Sequence, residues 1–271
     1  MVMTLLLLGC EELDQIKETV DGVTNPLVAQ GLILGVAEPE YEEIDLSDSD
    51  WANGALVKIF LADASSVDDM ANAPVEGATV RLKVGDAAGV ELLSEGGGAY
   101  AGNSEEQGIS YVVGSDATVN IQLDGDASSI SRKLPDSPQI ADQVDYGHSA
   151  GTAINLDLSA QDFDSVLAVV LDTESGEVTW SNEPADIEAV YEFTHGDGQK
   201  RLEIPAKAFA AESIYAIGVA GMKTASTDDF DNVNTALSSF MVGQLRFVPT
   251  CTIPNCEFLD DLEDELTDTG Q

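Results

Sequence analysis

Ala78-Thr79-Val80-Arg81-Leu82-Lys83-Val84 alternates strictly between apolar and polar residues. A side-chain period of two belongs to a β-strand buried on one face, and it puts Ala78, Val80, Leu82 and Val84 on the core side. The same grammar runs outward in both directions. Upstream, Leu56–Leu61 reads as a strand, and so does Leu27–Val36, which Glu38-Pro39 stops before an acidic loop from Glu40 to Asp50. Downstream, short strands are expected at Val90–Leu93, Ala99–Ala101, Ile109–Val113 and Thr118–Leu123. The turn residues Gly85-Asp86, Gly96-Gly97-Gly98, Gly108, Gly114-Ser115-Asp116 and Asp124-Gly125-Asp126 separate them. Short strands with turn signals at this spacing make a sandwich or a small barrel.

From Ser128 to Tyr146 the period fades and Pro135 and Pro138 appear, so residues 128–150 read as a linker. The β pattern then resumes. Ile154–Leu158 alternates, and Val166–Leu171 is a continuous apolar run, as expected of a central strand. Further strands are predicted at Val178–Trp180, Ile187–Phe193, Arg201–Ile204, Ser213–Val219 and Leu237–Phe247, with Gly196-Asp197-Gly198 as a hairpin turn and Pro205 as a stop. About seven strands is the count of an Ig-like or fibronectin-type sandwich. The Cys…Trp…Cys spacing of true immunoglobulin domains is missing, so the likeness concerns architecture. The expected fold is therefore all-β. Two tandem β-sandwich domains, 26–127 and 151–256, would follow a tether at 11–25 and precede an acidic tail at 257–271. Leu13, Ile16, Lys17 and Val20 in the tether, and Phe258, Leu259, Leu262 and Leu266 in the tail, have helical spacing. For the tail the solvated state is preferred over a docked helix.

Two stretches resemble known families. Pro74-Val75-Glu76-Gly77-Ala78-Thr79-Val80-Arg81-Leu82 is similar to the P-V-x-G-A-x-V-x-L opening of carboxypeptidase-regulatory-like, transthyretin-like sandwich domains. Ser94-Glu95-Gly96-Gly97-Gly98-Ala99-Tyr100 resembles their later T-D-x-x-G-x-Y, with Ser for Thr and Glu for Asp. The resemblance implies a non-catalytic structural or binding module. In it Gly77 and Gly98 permit turns, and Val80, Leu82 and Tyr100 face the core. The second stretch is Leu5-Leu6-Leu7-Leu8-Gly9-Cys10, after which acidic and polar sequence follows at once. It looks like the end of a bacterial lipoprotein signal peptide, Leu7–Cys10 being the lipobox. It is shorter than a complete signal and lacks a basic residue ahead of it, so residues 1–10 read as a signal truncated at its start. The resemblance implies a lipid on Cys10, anchorage in the bacterial outer membrane, and a protein facing the periplasm or the cell surface. The apolar run is too short for a membrane span, which takes about 20 residues.

Charge narrows the partners. The 271 residues hold Lys+Arg 11 against Asp+Glu 50, a formal net charge of −39. Such a field repels phosphate backbones, so nucleic acid is excluded as a partner. The lipoprotein resemblance implies the membrane as a partner, reached through the lipid, and an envelope protein or glycan as the expected ligand. With Cys10 acylated, Cys251 and Cys256 form an even pair expected to close a small disulfide loop in an oxidising compartment. The pair lacks the further thiolate or imidazole ligands of a zinc site. Pro249 and Pro254 are expected to stop a regular central strand there. No cofactor motif occurs: Gly96-Gly97-Gly98 precedes a strand, not a helix that would hold phosphate.

Catalysis and calcium are the competing readings. Gly147-His148-Ser149-Ala150-Gly151 fits G-x-S-x-G, and Asp164, Asp172 or Asp186 followed by His195 would supply a hydrolase order with Ser149 as nucleophile. That elbow needs a buried strand before it and a helix after it. Here the preceding residues are polar and a strand pattern follows, so an interdomain turn is preferred and no enzymatic activity is expected. Asp228, Asp229, Asp231 and Asn234 form the densest set of oxygen ligands, the calcium candidate of a calcium-dependent adhesion module. Asp48-Ser49-Asp50-Trp51-Ala52-Asn53-Gly54 is a poorer echo of a calcium loop. A solvated loop is preferred at both, so no metal is assigned.

Overall fold

A computed structural model of the chain describes residues 27–38, 41, 44, 54–195, 200–225, 233, 237–254 and 256. They form an all-β, sandwich-like fold. The first half contains β1 (Leu27–Val36), β2 (Gly54–Asp63), β3 (Thr79–Val84), β4 (Val90–Glu91), β5 (Leu93–Gly96) and β6 (Ala99–Asn103). After these come a helical turn α1 (Ser104–Gln107), β7 (Asp116–Leu123) and β8 (Asp126–Lys133). The second half contains β9 (Ile154–Asp157), β10 (Ser165–Asp172), β11 (Val178–Ser181), helix α2 (Ile187–His195), β12 (Arg201–Ile204), β13 (Ile214–Thr224) and β14 (Ser239–Cys251).

Strands of both halves are hydrogen-bonded into one eight-stranded sheet, ordered β11-β10-β13-β14-β1-β2-β6-β5. β1 and β14 are its central pair and run parallel, in register from Gln30–Ser239 to Val36–Leu245. All ten residues of β1 are buried. Its alternate side chains feed two cores. Leu27, Ala29 and Ile33 face a four-stranded sheet, β4-β3-β7-β8, whose inward residues include Val80, Leu82, Val119, Ile121 and Ile130. Val28, Leu32, Leu34 and Val36 join a larger core with β10, β13, α2 and the two-stranded sheet β12-β9. The expected alternation of β3 holds, with Val80, Leu82 and Val84 buried and the residues between them exposed.

The two stretches of the sandwich-domain resemblance come together. Gly77 and Gly98 have φ of +79° and +74°. Tyr100 is buried, donates its hydroxyl hydrogen to the Val75 carbonyl (3.3 Å) and accepts from the Ala78 N–H (3.0 Å). The Gly98 N–H donates to Glu76 (3.2 Å), and the Leu61 N–H to the Gly98 carbonyl (2.9 Å). One tyrosine thus fastens the approach to β3 beneath β6. The Asp124-Gly125 hairpin also forms, with φ of 52° and 95° over a two-residue loop between β7 and β8.

Several expected elements differ. Ile187–Phe193 is helical, not a strand. The Asp186 carboxylate accepts from the Ala189 N–H (2.9 Å) and caps α2, and Ile187 and Val190 lie buried three residues apart on its inner face. Ile109–Val113 is not a strand. Gly108, at φ +68°, ends α1, and the Ser115 N–H closes a turn on the Val112 carbonyl (3.0 Å). The run Val90–Leu93 is divided: β4 pairs with β3, β5 pairs with β6, and the buried Leu92 marks where the chain passes from one sheet to the other. Ser128–Lys133, expected in a linker, belongs to β8. Arg201–Ile204 pairs with β9. β14 continues through Pro249 to Cys251. Proline is accommodated because the last β1 partner of β14 is Leu245, so the side of Pro249 facing away from β13 has no strand to bond.

Candidate functional site

The curl of the large sheet creates a concavity among the described residues. β11 and β5 are opposite edges of that sheet, yet residues of both line one open groove of about 500 Å³. Its floor, the innermost lining, is apolar: Leu32, Leu34 and Val36 from β1, only 4%, 1% and 8% exposed, and the half-buried Leu56 from β2. Leu93 of β5 and Val178 of β11 stand at its margins, 58% and 49% exposed, although large apolar side chains elsewhere are mostly buried.

Charge around this floor is uneven. Glu95, Glu105, Glu106 and Glu183 line the groove against a single ammonium, Lys58. α1 sets the middle two: the Asn103 side chain accepts from the Glu106 N–H (2.7 Å), and the Gln107 side chain accepts from the Asn103 N–H (2.8 Å). This reciprocal cap holds both glutamates in a first turn, where the positive end of the peptide dipoles favours acidic neighbours. Glu183 follows β11 at the rim. Partial loss of solvent raises the carboxyl of this still exposed residue, and the positive charge of Lys58 opposes that rise. Lys58 Nζ also lies 5.6 Å from the Phe60 ring centroid. Asn182 anchors this rim, because its amide replaces a strand partner. Its Oδ1 accepts from the Ala168 N–H (2.7 Å), and its Nδ2 donates to the Val166 carbonyl (3.0 Å). The arrangement suits recognition of an apolar, positively charged ligand by a preformed surface.

The residues singled out from sequence lie elsewhere. Gly147–Gly151 is a turn at the end of β14, without the strand–helix frame of a nucleophile elbow. Gly147 bridges to Cys251, and the His148 N–H donates to the Cys251 carbonyl (2.8 Å). Ser149 is exposed and its carbonyl accepts from the Thr152 hydroxyl (2.6 Å). The His148 ring rests on Phe209, with Nε2 2.9 Å from the Thr152 hydroxyl. The three aspartates are engaged in structure: Asp164 accepts from the Thr224 N–H, Asp172 from the Glu174 N–H, and Asp186 caps α2. Cys251 and Cys256 sit at disulfide-bonding distance, with Cα atoms 6.3 Å apart. Cys10, the calcium candidates Asp228, Asp229, Asp231 and Asn234, most of the 48–54 loop and the acidic tail lie outside the described residues. Among the described residues, no group of three or more His, Cys, Asp or Glu gathers as metal ligands.

Lys58, Glu183, Leu93 and Val178 escaped the sequence reading. Each looks ordinary in its own segment, and only the curl that brings β11 opposite β5 makes them neighbours. No protein-family model matches this chain, and no curated protein is significantly similar to it.

Proposed function

We propose that this protein is a lipid-anchored, extracytoplasmic binding protein of the bacterial envelope, without catalytic activity, held to the membrane through Cys10. The observation that carries the binding role is the groove between β5 and β11: a preformed apolar floor with charged margins, built on strands that two cores hold rigid. The Cys251–Cys256 pair at bonding distance supports an oxidising compartment, and Leu7-Leu8-Gly9-Cys10 supports the anchor. The non-catalytic reading is supported by an exposed Ser149 and by aspartates already committed to turns and a helix cap.

Metabolic labelling with an alkyne fatty acid tests the anchor. Wild type is expected to carry label in the membrane fraction, and Cys10→Ala to lose both label and membrane association. Equal labelling of the two would overturn the anchor. A fluorophosphonate probe tests the other half: an adduct lost in Ser149→Ala would overturn the non-catalytic reading.

A further inference from the structure

The groove's composition names a class of ligand more specific than "a partner". β5 and β11 each end the eight-stranded sheet, so among the described residues each carries one edge without a strand neighbour. Free strand edges recognise extended peptides through main-chain hydrogen bonds, while alternate side chains enter neighbouring pockets. Here the side-chain surface between the two edges is an apolar floor with Leu93 and Val178 at its margins. Four carboxylates and one ammonium face it. A peptide strand supplies three features together: backbone groups for the edges, apolar side chains for the floor, and cationic side chains for Glu95, Glu105, Glu106 and Glu183. A free metal ion has no use for the apolar floor, and an anionic polymer meets repulsion.

We infer that the groove binds an extended peptide segment in which apolar residues alternate with Lys or Arg, added as a strand at the β5 edge. The inference rests on the binding role proposed above and gives it a substrate class. Glu95 in β5 and Glu183 just after β11 also explain how the two edges avoid pairing with other copies of this acidic chain while accepting a basic one.

A fluorescein-labelled decapeptide of alternating Val and Lys tests this in polarisation titrations with the full chain. Saturable binding is expected, with at least tenfold weaker binding of a Val–Glu decapeptide. Glu95→Lys and Glu183→Lys are each expected to weaken binding tenfold or more. Glu203→Lys, the same charge change on an exposed position of β12, is expected to leave it within twofold. Equal weakening by all three would show attraction to overall charge and overturn the groove. A decapeptide N-methylated at alternate residues cannot pair as a strand, and undiminished binding of that peptide would overturn strand addition. Glu95→Gln keeps the side chain's shape and gives a second reading should a lysine variant unfold. Absence of any saturable binding by the Val–Lys peptide overturns the peptide inference, whereas the anchor stands or falls on fatty-acid labelling alone.

Discussion

Gln30 of β1 and Ser239 of β14 lie in register across the central parallel pair, and the Ser239 hydroxyl donates to the Gln30 side-chain carbonyl with both residues buried. Gln30 also donates to the Leu237 carbonyl, and Ser239 Oγ lies 2.8 Å from Thr194 Oγ1 on α2. A polar cluster thus links the two central strands to the helix inside an apolar core. Leaving a buried polar group unsatisfied costs about 1–3 kcal/mol. Gln30→Leu is expected to lower the melting temperature by several degrees, at roughly 2–4 °C per kcal/mol for a protein of this size. Ser239→Ala should do the same, and the double variant should lose less than the sum. Calorimetry on the four proteins checks this, and simple additivity would show that the two residues are not coupled.

Tyr100→Phe removes two hydrogen bonds and no packing. The expected loss is about 1–2 kcal/mol in urea unfolding, with faster hydrogen exchange at the Ala78 amide. An unchanged Ala78 amide would show that the tyrosine does not fasten β3.

Gly97 and Gly98 are adjacent and both left-handed, with φ of +59° and +74°, yet they should respond differently to alanine. A Cβ at Gly97 meets nothing within 4 Å, so Gly97→Ala should cost only the backbone term of about 1–2 kcal/mol. A Cβ at Gly98 would overlap the Leu61 carbonyl oxygen, so Gly98→Ala should cost clearly more. Chemical denaturation of the two variants orders them, and the reverse order would contradict the close approach of β2.

Cys256→Ser tests the C-terminal loop without placing a hydroxyl at the buried Cys251 position. The loop spans a sequence separation of 5, so the loss should stay below the roughly 3 kcal/mol expected for a fifteen-residue loop. Exchange at Thr252 and Ile253 should quicken while the sheet amides stay protected. A large fall in melting temperature would show that the bond holds more than this end.

Tyr111 gives the protein an alkaline weakness. Its phenol donates to the Pro135 carbonyl (2.9 Å). Burial, and secondly the charge of Asp136, raises its pKa far above the ordinary value. Below pH ~10 the phenol is protonated in folded and unfolded chains alike and adds no pH dependence. Above it the unfolded chain releases a proton that the folded chain keeps, so stability falls as pH rises, by up to ~1.4 kcal/mol per pH unit. Urea midpoints between pH 8 and 11 should fall more steeply for wild type than for Tyr111→Phe. Parallel curves would remove Tyr111 as the cause.

Strand identities were readable where a pattern of two meets turn chemistry, as in β3 and the Asp124-Gly125 hairpin, because both signals are local. Leu27–Val36 was also readable as a strand, but its largely apolar character had a meaning that no local window carries: it is covered on both faces and lies beside the last described strand, β14. Helix α2 went unread although Asp186, Ile187 and Val190 supply a cap and a helical spacing. Its β-branched and aromatic residues favour strands, and the packing of α2 on β1 and β14 outweighs that bias. Pro249 looks like a stop in the sequence because sequence does not reveal which edge of a strand lacks a neighbour. The groove was hidden for the same reason, since its two edges belong to distant segments.

The central pairing also dictates when the protein can fold. Gln30 and Ser239 are separated by 209 positions, so β1 meets its permanent neighbour only after all the intervening residues have been made. Closing so long a loop is slow, and topologies rich in such contacts fold late. Until then the apolar strand β1 presents an open edge, the kind of surface that recruits other chains. A chain ending before Ser239 should therefore yield aggregate, not a smaller folded protein, because its missing strand contributes Phe240 and Val242 to one core and Met241 and Leu245 to the other.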